Sequence, residues 1–155
     1  MSAAFISQLY TELLGRPADD SGLAHWSDVL PTASAAGVTE QFLASAEFNT
    51  NVVPVARLYL AAFDRVPDAQ GLAYWVNAVR QGVGMDVVAS EFLSSPEHEG
   101  QYGRLTDRDY VRVIYQQALG READPAGLDY WVQVLEQGAS EAAVLASFAG
   151  SQEMA

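Results

Sequence analysis

Three arginines recur in this chain, each followed at nearly one distance by a glutamate: Arg16 with Glu47, Arg65 with Glu97, and Arg121 with Glu153, 31 or 32 residues apart. A guanidinium and a carboxylate at a repeated spacing can form a bidentate, charge-assisted bridge that closes a later helix onto an earlier turn. Alternatively, the arginine faces an anion or a glycan. The bridge is the stronger expectation, because residues repeated beside caps and core positions more often fix geometry than hold ligand.

Other repeated residues divide in the same way. Trp26, Trp75 and Trp131 are all the tryptophan in the chain. They could stack on sugars, but they share a helical stripe with a preceding leucine and are expected to point into the core. Tyr74 and Tyr130 stand one residue earlier, about 100 degrees around the helix, which turns them toward solvent and a partner; His25 holds the same place in the first copy. Asp19, Asp68 and Asp124 are expected as helix N-caps. The acidic stretches Asp19-Asp20 and Asp107-Arg108-Asp109 lack the alternating oxygen ligands of a calcium loop. His25 and His98 are isolated and differ between copies, so no histidine metal or acid–base centre is expected. No nucleophile elbow, phosphate loop or dinucleotide fingerprint is present.

The elements that position these residues follow from self-similarity. Gly15-Arg16-Pro17-Ala18-Asp19, Asp64-Arg65-Val66-Pro67-Asp68 and Gly120-Arg121-Glu122-Ala123-Asp124 align without gaps. A Gly-Leu pair follows each Arg at plus six and seven, and a Trp at plus ten. A Leu-Tyr or Ile-Tyr pair precedes it at one distance, and Ser45-Ala46-Glu47, Ser95-Pro96-Glu97 and Ser151-Gln152-Glu153 close the copies. Apolar residues step by three and four, and strand-like alternation is nowhere sustained, which predicts three helices per copy. Helix one carries Leu9, Leu58 and Ile114 and ends at Gly15, Asp64 and Gly120, where a left-handed residue is needed. Helix two carries the Trp stripe; helix three carries Phe42, Phe92 and Phe148, with Ser140 as an N-cap in the last copy.

The expected fold is therefore all-α: tandem three-helix repeats, about nine helices, forming a bundle or solenoid-like array. Repeat one is placed at 1–50, repeat two at 51–100 and repeat three at 101–155. Spacing is uneven, with 49 residues from Arg16 to Arg65 and 56 from Arg65 to Arg121, and the surplus around Gly100 and Gly103 is read as a hinge-like linker over 99–105.

Composition narrows the partners. Of 155 residues, half are hydrophobic, enough for a real core; 20 acids oppose eight cations, all arginine, for a net charge of -12. Such a surface is ill suited to phosphate backbones or anionic membranes, so no nucleic acid and no membrane insertion are expected. The absence of cysteine removes disulfides, thiolate metal sites and cysteine nucleophiles. No cofactor is expected, with calcium the one ion the acidic excess leaves open. The start, Met1 to Phe5, has neither a basic n-region nor a long apolar run.

At its Leu-Tyr, Gly-Arg-x-x-Asp, Gly-Leu-x-Tyr-Trp and Ser-x-Glu signatures the chain resembles the bacterial repeat family known as domain of unknown function 4214, itself similar to phycobilisome linker domains. The resemblance spans nearly the whole chain, three times over. It implies an all-helical module found in tandem within secreted or cell-surface bacterial proteins, and it brings no ligand and no catalytic residues with it. Departures are Asp64 in place of Gly and His25 in place of Tyr. The expected function is a non-catalytic structural or interaction module that contacts a protein partner or another copy. The alternative is a carbohydrate-binding module that uses Tyr74, Tyr130 and nearby arginines against surface or matrix polysaccharide. An enzyme is not expected.

Overall fold

The computed structural model describes residues 2–151, and within them the chain is helical without strands. In order, the elements are α1 (Ala3–Leu14), α2 (Asp20–Val29), α3 (Ala35–Ala44), a π-helical turn (Phe48–Val52), α4 (Val53–Phe63) and α5 (Ala69–Arg80). They continue with α6 (Met85–Leu93), α7 (Pro96–Tyr102), α8 (Asp107–Leu119), α9 (Pro125–Glu136) and α10 (Glu141–Ala149).

The stops and starts of these helices follow from single residues. At the ends of α1 and α8, Gly15 and Gly120 take φ of 65 and 62°. Asp64 holds the matching place after α4 at φ 54°, the only non-glycine at positive φ among the described residues, and a short polar side chain tolerates that region. Helices α2, α5 and α9 start alike. The Asp19, Asp68 and Asp124 carboxylates accept hydrogen bonds from the Gly22, Gly71 and Gly127 amides at 2.7, 2.7 and 3.0 Å. Pro125 fills the first turn of α9, where its missing N–H costs nothing. Ser34 and Ser140 cap α3 and α10.

Among the described residues ten α-helices stand where about nine were expected, because the segment read as a linker is mostly helix. Ser95 caps α7 through the His98 amide, Pro96 opens it, and Gly100 lies inside it. Gly103, at φ 60°, ends it, and Thr106 caps α8 three residues later. Two glycines in seven residues look like a hinge, but only Gly103 adopts a conformation that needs glycine.

The chain clusters into two compact units, Met1–Val55 with Asp68–Gly82, and Ala56–Pro67 with Val83–Ala155. In the first, Ile6, Leu9, Tyr10 and Leu14 of α1 are buried, as are Val38 and Phe42 of α3. Trp26 stacks on Phe42 at 4.8 Å, and Tyr10 meets the same ring edge-on at 5.0 Å. Helix α5 of the second copy belongs to this unit: Gly15 lies so close to Ala73 that an added Cβ would come within 3.1 Å of its Cα. In the second unit α6 packs on α10 and α8 on α9. Phe92 meets Tyr59 and Phe63 at 4.7 and 5.0 Å, and Phe148 meets Tyr115 at 4.9 Å.

Candidate functional site: the arginine clusters and the exposed aromatic positions

The Arg16 side chain folds back from the end of α1 onto the Tyr10 ring, its guanidinium carbon 4.7 Å from the centroid. Its Nε and Nη2 donate to Glu47 Oε1 and Oε2 at 2.6 and 2.8 Å, the parallel fork that a planar guanidinium makes with a carboxylate. Nη1 donates to Asp19 Oδ2 and to the Pro17 carbonyl, both at 3.1 Å, while Asp19 Oδ1 accepts from the Gly22 amide. One arginine thus ties together the end of α1, the cap of α2 and the segment after α3. The hydrogen bonds from Arg16 are the main cause holding the Glu47 carboxyl below its ordinary range. Asp19 is lowered chiefly by the Ser21 hydroxyl and then by the Gly22 amide.

The second copy repeats the fork. Arg65 donates to Glu97 at 2.7 and 2.9 Å, with its guanidinium 5.3 Å from the Tyr59 centroid and 5.5 Å from that of Phe63. In the third copy Arg121 lies 5.2 Å from the Tyr115 centroid and 3.7 Å from Asp124; its expected partner Glu153 lies outside the described residues. The serine before each described glutamate closes a junction. Ser45 and Ser95 donate to the Phe42 and Phe92 carbonyls at 2.7 Å and accept from the Phe48 and His98 amides.

Four features escaped the sequence reading. Arg80 of α5 donates to the Leu14 carbonyl at 2.9 Å and lies 3.3 Å from Glu47, making the first fork a three-residue cluster. A repeat comparison cannot find it, because the matching positions hold Pro31 and Glu136. The repeated Gly22 and Gly127 lie against the hydroxyls of Tyr10 and Tyr115; a Cβ on Gly127 would come within 2.5 Å of the Tyr115 oxygen, and one on Gly22 closer still to Tyr10. His98 is 8% exposed, beside Tyr102 and Phe63, and burial pushes its pKa down. Finally, Trp75 and Trp131 are only half-buried, whereas Trp26 is buried. On α9 the interior is filled by Leu128 and Leu135, which leaves the indole on the flank; on α5 Val76 is the fully buried residue.

That flanking position gives the second and third copies an aromatic pair at the surface, whereas in the first only His25 is exposed and its tryptophan is buried. Tyr74 is 67% exposed and meets Trp75 edge-on at 4.9 Å; Tyr130 is 59% exposed and meets Trp131 at 5.1 Å. His25 is exposed and meets Trp26 at 5.1 Å. Among the described residues no three His, Cys, Asp or Glu side chains converge on a metal position, and no helix is long and apolar enough to cross a membrane.

The fold and the threefold signature define an all-helical repeat protein. The family model described as a domain of unknown function, DUF4214, matches residues 1–52, 39–86 and 89–155, and the chain belongs to that family. No curated protein and no solved structure matches the chain.

Proposed function

We propose that the chain is a non-catalytic interaction module of a secreted or cell-surface bacterial protein, whose helical framework holds a repeated aromatic position outward for a protein partner or another copy. The observation that carries this reading is the exposure of Tyr74 and Tyr130, each braced by a tryptophan at its edge. A tyrosine offers large contact area with few torsions to freeze and is favoured at interfaces. The repeated charged residues are consumed within the framework: Arg16, Arg65 and Arg121 by Glu47, Glu97 and the tyrosine rings, Asp19, Asp68 and Asp124 by helix amides.

The test compares the wild-type chain with the Tyr74→Ala/Tyr130→Ala double variant as immobilised baits against the producing cell's envelope and matrix, with and without calcium. The reading expects a saturable protein partner, or further copies of the chain, on the wild type and its loss from the variant. Equal retention of proteins on both baits contradicts it, and retention of polysaccharide alone, lost from the variant, replaces it with the saccharide-binding alternative.

A further inference from the structure

We propose that the cleft between α8 and α9 binds an acidic saccharide, a chain carrying uronate residues. The cleft has a volume of about 690 Å3, within the roughly 300–1,000 Å3 of small-molecule sites, and lies wholly inside the second unit. It goes beyond the interaction reading and uses none of the residues on which that reading stands.

Arg108 and Arg112 line it, one helical turn apart on α8 and therefore on one face. Neither belongs to the repeated framework. Counted from the tyrosines of helix one, their equivalents are Ala3 and Ser7 in the first copy and Val52 and Ala56 in the second. Nor does the overall charge explain them, because a chain of net charge -12 places four of its eight arginines between 104 and 121.

The rest of the lining selects the ligand. Val113, Pro125 and the buried Leu128 supply an apolar wall suited to the C–H face of a pyranose ring. Gln116 and Glu122 supply hydrogen-bonding groups for hydroxyls. A ligand with one carboxylate per ring and hydroxyls between matches this order of groups. The arginines are held by exposed partners, Arg108 by Asp129 and Arg112 by Asp109, each at 3.3 Å. Such exposed pairs contribute little, and each guanidinium keeps N–H donors for a ligand carboxylate.

Isothermal titration of the full chain with oligogalacturonate, neutral malto-oligosaccharide and oligoglutamate at physiological salt tests the assignment. Oligogalacturonate is expected to bind, with affinity about tenfold lower in Arg108→Ala and in Arg112→Ala. The neutral sugar is expected not to bind, and circular dichroism is expected to show both variants folded, since both side chains are half-exposed or more. Absence of oligogalacturonate binding, affinity untouched by the arginine substitutions, or equal affinity for the neutral sugar would overturn the proposal. So would oligoglutamate binding as tightly as the sugar, which would mean that the cleft reads charge alone.

Discussion

The Tyr115 hydroxyl occupies the space that a side chain on Gly127 would need, 2.5 Å from where the Cβ would stand, and Tyr115 is 2% exposed. The repeated glycine of helix two is therefore a packing residue, tied to a tyrosine twelve positions earlier. Gly127→Ala forces that buried ring or the α9 backbone to shift. A loss of about 1–3 kcal/mol is expected in chemical denaturation, despite the better helix propensity of alanine. Removing the hydroxyl in Tyr115→Phe/Gly127→Ala should return part of it; a double variant less stable than the sum of the single changes would reject this pairing.

Glu47 links stability to pH. Its carboxyl is held below the ordinary 4.5, first by the Arg16 hydrogen bonds, so its contribution is complete above the unfolded value and is lost as pH falls through the folded one. Glu47→Gln should destabilise by about 1–2 kcal/mol at pH 7. The gap from wild type should narrow in melts taken at successively lower pH below 4.5. A gap that stays constant with pH would mean that the fork acts through packing and not through charge.

His98 acts near neutrality with a different cause. Burial lowers its pKa from 6.5, so the unfolded chain binds the proton more readily and stability falls as pH drops from that value toward the folded one. Phe48 holds the matching place, three residues after Ser45 as His98 is after Ser95. His98→Phe should keep the ring contacts with Phe63 and Tyr102 and flatten the melting temperature across that pH window. An unchanged pH profile would show that His98 does not carry the dependence.

Local signals made much of this architecture legible. The aspartate caps, the left-handed residue after helix one and the Arg–Glu spacing each depend on a few torsions or on one long-range pair copied between repeats, so alignment of the copies displays them. Asp64 illustrates this, since its short polar side chain stands where its counterparts are glycine and adopts φ 54°. Arg80 shows the limit: it reaches Leu14 across 66 residues from a position that no other copy shares. The partial exposure of Trp75 and Trp131 was hidden for a related reason. Apolar periodicity marks a stripe, but which residue occupies its centre depends on the facing helix.

The repeated residues divide between those that hold the helices and those that are held out. Thermal unfolding of Arg16→Met beside Tyr130→Ala tests that division most directly. Arg16→Met keeps the stem over Tyr10 but removes the fork to Glu47, and should lower the melting temperature by roughly 3–8 °C, whereas Tyr130→Ala should melt within about 2 °C of wild type. An Arg16→Met chain as stable as wild type, or a Tyr130→Ala chain that melts as low as Arg16→Met, would contradict it.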